Sequence, residues 1–148
     1  MNILHIITDL DRGNTQKQMR MLVLELQKRG VSQQVVCLSG PGFNSAILQE
    51  AGIPVLHLNR PFPLLGFVMG LRRGNSVIKN LGPVDILCGW MYKGDLAAHY
   101  YQHKLFPDAK LVLNLRDSVS GESFSERLKR KLVRQVGGLS NEADLVVY

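Results

Sequence analysis

Two hydrophobic rhythms alternate along the chain. Residues 2–8 (Asn2-Ile3-Leu4-His5-Ile6-Ile7-Thr8) form a nearly continuous apolar run, as a parallel strand covered on both faces requires. After a polar loop at 9–14, Met19, Leu22, Val23 and Leu26 recur at the spacing of one buried helical face, which predicts a helix over 15–29. Lys28 and Arg29 suit its negative end, and Gly30 is placed to cap it. The pattern then predicts a strand at 34–38, a helix at 44–51 ended by Gly52, and a strand at 55–58. Residues 60–80 are proline-broken at first and helical after residue 64. A strand at 85–88, a helix at 94–105, a strand at 110–115, a loop at 116–122 and a helix at 124–136 follow, and a sixth strand begins at Leu145. Strands alternating with helices through short loops specify right-handed βαβ units. The expected fold class is therefore α/β, a doubly wound parallel sheet in the order 3-2-1-4-5-6.

Such sheets bind ligands beyond the carboxyl ends of their strands, near the switch between strands one and four. That nominates the loops at 9–14, 89–94 and 116–120. The first lacks the G-x-G-x-x-G of a dinucleotide site, and strand two does not end in an acid. No G-x-x-x-x-G-K-[ST] phosphate loop occurs, and strand three ends at Asn59 where a receiver domain would carry its phosphorylatable Asp. Gly13-Asn14-Thr15 lies at a helix amino terminus, suited either to an anion or to a plain turn with Thr15 as N-cap. Trp90, Tyr92, Lys93 and Asp95 are placed after strand four. Their aromatic faces suit a sugar ring and their charges suit phosphate or hydroxyls; the other reading packs Trp90 and Met91 under the next helix. Arg116 and Asp117 either pair with each other or leave the guanidinium to clamp a phosphate or carboxylate.

Composition narrows the picture. With 148 residues, 45% apolar and 20% charged, the chain is one globular domain, 1–148. The net charge of +6 is concentrated: residues 126–134 carry five bases and one acid. This argues for a local patch rather than a nucleic-acid-binding surface. Arg127, Arg130, Lys131 and Arg134 share one helical face, either solvated or turned to an anionic membrane. The apolar segment 62–71 would add a shallow contact there, although Gly66, Gly70 and Gly74 read first as close-packing positions. Cys37 and Cys88 fall in strands and read as core thiols of a reducing compartment. No signal peptide opens the chain, so a cytoplasmic location, peripheral at the inner membrane face, is the expectation. His5 and His57 read as sheet residues. His99 and His103 are one turn apart, the spacing of a two-His metal face, but without the acid of H-E-x-x-H no metal is expected.

The loops, taken in order, resemble a known family. Ile3-Leu4-His5-Ile6-Ile7, Arg12-Gly13-Asn14-Thr15-Gln16, residues 22–30, residues 48–55, Trp90-Met91-Tyr92 and residues 140–147 are together similar to the amino-terminal domain of the retaining GT-B glycosyltransferases of family four. The resemblance implies one Rossmann-like half of a two-domain enzyme that moves a sugar from a nucleotide-sugar donor, without a metal or other cofactor. This half would present the acceptor surface and a Gly-rich loop near the donor diphosphate. A carboxyl-terminal partner domain would grip the donor through an E-x₇-E motif. The acceptor implied is a polysaccharide or a lipid-linked glycan. The sequence departs from the family where its Gly-Gly pair is Gly13-Asn14 and where its usual His after strand five is replaced by Leu115-Arg116-Asp117. Residues 144–148 read as a strand just begun, so the expectation is the front part of a larger protein, inactive in transfer alone. The competing reading is a binding module that dimerises or meets a partner through the face a second domain would cover.

Overall fold

A computed structural model of the chain describes residues 1–59, 67–114 and 138–147. Six parallel strands form one sheet in the order β3-β2-β1-β4-β5-β6. In chain order the elements are β1 (Asn2–Ile7), α1 (Asn14–Lys28), β2 (Ser32–Cys37), α2 (Phe43–Glu50), β3 (Val55–His57), α3 (Phe67–Lys79), β4 (Ile86–Trp90), α4 (Met91–Leu105), β5 (Lys110–Asn114) and β6 (Leu145–Val147). The doubly wound sheet expected from the sequence is the one observed. The expected helix over 124–136 lies outside the described residues.

The two-faced burial of β1 explains its unbroken apolar run. Leu4 and Ile6 face one layer with Leu71, Ile78, Ala97, Ala98 and Tyr101 of α3 and α4. Ile3 and Ile7 face the other, with Met19 and Val23 of α1 and Leu48 of α2. Leu22, expected on the buried face of α1, is instead 42% exposed, and Gln16 takes a buried place on that helix. Gly74 is needed for packing: a Cβ there would stand 2.7 Å from the Tyr101 hydroxyl, which donates to the Leu71 carbonyl at 3.0 Å.

Helix α1 ends as its sequence signals. Gly30 adopts φ +75°, its N–H reaches Gln27 O at 3.0 Å, and Val31 N–H reaches Leu26 O at 3.1 Å. Open space surrounds the missing Cβ, so Gly30→Ala tests backbone conformation alone. It is expected to cost about 1 kcal/mol in urea unfolding, the penalty of an L-residue in the left-handed region. An unchanged midpoint would contradict this.

The amino end of α1 differs from expectation. Gly13 is the N-cap, in extended conformation and without a side-chain cap, and Asn14 and Thr15 already belong to the helix. Thr15 is therefore not the cap. The largest boundary correction is at β4. This strand runs on through Trp90, and α4 starts at the next residue, so the loop expected at 89–94 does not exist.

Candidate functional site

The junction of β4 and α4 is an elbow. Met91 sits at φ +64°, a conformation disfavoured for a side chain of its size. The close approach that follows is possible because two neighbours have no side chain. A Cβ on Gly94 would stand 2.6 Å from the Ile6 carbonyl oxygen, and one on Gly89 would stand 2.6 Å from Asp95 Cα. With Ile7 paired to Trp90, the first turn of α4 lies beside the loop that leaves β1, at the switch point of the sheet.

That loop is held from both sides. The Gln16 amide donates to Asp9 Oδ1 at 2.7 Å and contacts Met91 Sδ at 3.7 Å, tying α1 to the elbow. Gly13 leaves room for it, because a Cβ there would overlap Gln16 Oε1. From the other side, buried Asn44 donates its amide to the carbonyls of Leu10 (3.2 Å) and Asp11 (2.6 Å), while accepting from Arg20 Nη1 at 2.8 Å. Arg12 stacks over the Phe43 ring at 4.3 Å. The amino termini of α1 and α4 thus meet at one crevice, and neither first turn carries an acid. Two positive helix ends favour an anion, and the Asp9 carboxylate, held by Gln16 beside Met91, already brings one negative charge to them. At the same edge the Thr8 hydroxyl, at the end of β1, is buried without a hydrogen-bond partner.

The residues nominated from the sequence are distributed as follows. Gly13 and Asn14 are exposed at the crevice, and Thr15, Tyr92 and Lys93 are half-buried there, with the Lys93 ammonium 6.0 Å from the Tyr92 ring centroid. Trp90 and Asp95 are not on the surface. The indole is 2% exposed and donates to His5 Nδ1 at 3.2 Å. It packs inside the sheet rather than offering a face to a sugar, because β4 continues through this position. Asp95 is fully buried and accepts the Asn114 N–H at 3.1 Å, tying α4 to the end of β5. Arg116, Asp117 and the basic residues Arg127, Arg130, Lys131 and Arg134 lie outside the described residues. Among the described residues no helix is long and apolar enough to cross a membrane.

Beneath the crevice runs a buried polar chain. His5 Nδ1 accepts from Trp90, its Nε2 meets Gln33 Oε1 at 3.2 Å, and Gln33 donates to the Val23 carbonyl at 2.9 Å. The indole has only a proton to give, so the imidazole is assigned as the neutral tautomer with its proton on Nε2. Burial pushes the His5 pKa down to about 4, partly opposed by the Gln33 bond. The chain explains why a glutamine amide and a histidine sit among core residues, which hydrophobic periodicity does not register. Burial likewise pushes the Cys88 thiol up to about 12 and raises that of Cys37, so both behave as packing residues and not as nucleophiles.

Sequence reasoning also missed an acid. Glu142, in the turn before β6, meets His99 and His103 of α4. The helix itself carries no H-E-x-x-H acid beside this histidine pair; the carboxylate comes from 39 residues beyond His103.

No protein-family model and no curated protein matches the sequence. Similar solved structures do exist. HepE from Anabaena, solved in complex with UDP and glucose, aligns over 99% of this chain and 37% of its own, with 19% identity and a TM-score of 0.69. MurG from Acinetobacter baumannii aligns over 98% of this chain and 39% of its own, at 15% identity and a TM-score of 0.55. A protein assigned as a UDP-N-acetylglucosamine 2-epimerase from Listeria monocytogenes aligns over 98% of this chain and 37% of its own, at 21% identity and a TM-score of 0.56. The chain thus spans less than two-fifths of the length of each. At these identities the likeness is one of fold: the chain is a Rossmann-like α/β domain with a six-stranded parallel sheet, a fold it shares with all three of these proteins.

Proposed function

We propose that this chain is the acceptor-side domain of a cytoplasmic retaining GT-B glycosyltransferase. The full enzyme transfers a sugar from a nucleotide-sugar to a polysaccharide or lipid-linked acceptor. The observation that carries the reading is the meeting of the α1 and α4 amino termini at the switch point, with no acid in either first turn. In transfer, negative charge builds on the leaving diphosphate, and fixed N–H dipoles already aimed at it stabilise that charge without reorganising. Gly13, Asn14 and Thr15 supply one set of such groups, and the elbow residues Met91, Tyr92 and Lys93 supply the other. Support also comes from the shared fold with HepE, a protein solved with UDP and glucose. Arg116 and Asp117 are proposed to complete the pocket from the end of β5, and the basic residues 127–134 to meet an anionic membrane. The donor's base and sugar would be held mainly by a carboxyl-terminal domain, so this chain is expected to bind weakly and not to transfer.

The test is a titration of the isotope-labelled chain with UDP-glucose, followed by amide NMR shifts. The expected result is fast-exchange perturbation confined to residues 13–15 and 91–93, with a Kd of about 1 mM, the range left to a few phosphate contacts. Absence of shifts at about ten times that concentration, or shifts confined to the opposite edge of the sheet, would refute the proposal.

A further inference from the structure

The trio of His99, His103 and Glu142 stands apart from the crevice. Helix α4 leaves the carboxyl end of β4, so its last turns lie at the opposite edge of the sheet, and Glu142 approaches that edge just ahead of β6. The three side chains converge on one point. His99 Nε2 is 2.8 Å from Glu142 Oε2, His103 Nε2 is 3.2 Å from the same oxygen, and the two nitrogens are 3.0 Å apart. The rings meet edge to face, centroids 4.4 Å apart.

With the carboxyl ionised, protons satisfy this arrangement only in part. If both rings present N–H to the carboxylate, two like donors face each other. If one nitrogen is bare, it can accept from the other ring at 3.0 Å, but its lone pair then also faces the carboxylate oxygen. A cation over the triangle turns all three lone pairs into ligands. The fit is metric as well as chemical: an ion about 1 Å above the plane of the three atoms lies about 2 Å from each, the Zn–N and Zn–O bond length. His99 is 20% exposed, while His103 and Glu142 are 54% and 52% exposed, so an ion has a path in and water can take the fourth position.

We propose that His99, His103 and Glu142 form a binding site for a zinc-class divalent cation that clamps the turn before β6 onto α4. Two imidazoles and one carboxylate select Zn²⁺, Co²⁺ or Ni²⁺ over the oxygen-preferring Mg²⁺ and Ca²⁺. The role is structural, because the ion sits across the sheet from the crevice. The clamped turn is held at two other points: Asp144 Oδ2 accepts the Leu111 N–H at 2.9 Å, and Lys110 pairs with Asp144 at 3.0 Å.

The test uses the chain produced without a histidine tag, titrated with ZnCl₂ and with MgCl₂ by calorimetry and by thermal unfolding. The expected result is equimolar Zn²⁺ binding with a rise in Tm, and no response to Mg²⁺. Glu142→Gln and His103→Ala, both at exposed positions, should each weaken Zn²⁺ at least about tenfold and abolish the Tm rise. No binding at about 0.1 mM Zn²⁺, or wild-type affinity in either variant, would overturn the assignment.

Discussion

Gly94→Ala should destabilise the domain by about 2–3 kcal/mol, despite replacing the poorest helix former short of proline with the best. The added methyl would stand 2.6 Å from the Ile6 carbonyl oxygen and 3.3 Å from Ile7 Cα. Both belong to β1, which is paired on one side with β2 and on the other with β4, so the obstacle is main chain that cannot rotate away. Relief requires lifting the first turn of α4 off the sheet, which opens the packing around Ala97 and Ala98. The helical gain of about 1 kcal/mol offsets only part of an overpacking cost of about 3 kcal/mol or more. Urea unfolding at neutral pH reads the difference directly. A change smaller than about 0.5 kcal/mol would mean that the elbow is looser than the contact distances require.

Stability should also fall as the pH is lowered from 6.5 towards 4, with His5 contributing about 3 kcal/mol of the loss. The ring ordinarily titrates at 6.5 and is held down to about 4 when folded, chiefly by burial. Between those values the unfolded chain binds a proton that the native ring refuses, so acid favours unfolding, and above 6.5 the effect is gone. His57 is lowered too, again chiefly by burial, and adds in the same direction. Glu142 and Asp144, both held low by hydrogen bonds, lose their contributions only in the more acid carboxylate range. A pH series of urea midpoints separates these groups when repeated on His5→Gln. That variant should be less stable at pH 7 yet show a shallower slope between pH 4.5 and 6, by up to about 1.4 kcal/mol per pH unit. Identical slopes in the two proteins would rule out His5 as the titrating group.

How far the sequence could be read depended on the range of each interaction. The strand order followed from short-range alternation, and Gly30 and Gly52 announced their helix ends because a cap is a local matter, decided within one turn. The elbow was not legible. Cys88-Gly89-Trp90-Met91-Tyr92 carries no turn residue beyond one glycine, and what places Met91 at positive φ is the approach of α4 to β1, some 85 positions earlier in the chain. Trp90 illustrates the consequence: assigned to a loop it is a candidate sugar platform, whereas two more strand residues turn it inward to His5. Gln16, Gln33 and Asn44 escaped notice because polar residues in a helix or strand read as surface unless their partners are known. Glu142 escaped because the spacing of His99 and His103 invites a search within one helix, and the carboxylate arrives from another element.

The placement of β1 at the centre of the sheet also bears on how the chain is made. Its first partner, β2, is adjacent in sequence, but its second, β4, is separated from it by two further helices, and Asp85 reaches back to the Asn2 N–H at 2.7 Å. On a ribosome the β1-α1-β2 unit therefore emerges with one flank of its most apolar strand unpaired, and stays so until β4 has been synthesised. A long-range parallel pairing of this kind forms slowly, and an open strand edge is a template for association with other chains. The nascent protein thus has an interval of vulnerability that closes only when α4 docks at the elbow. Substitutions there would lower the yield of soluble protein more than their cost to the finished fold would suggest.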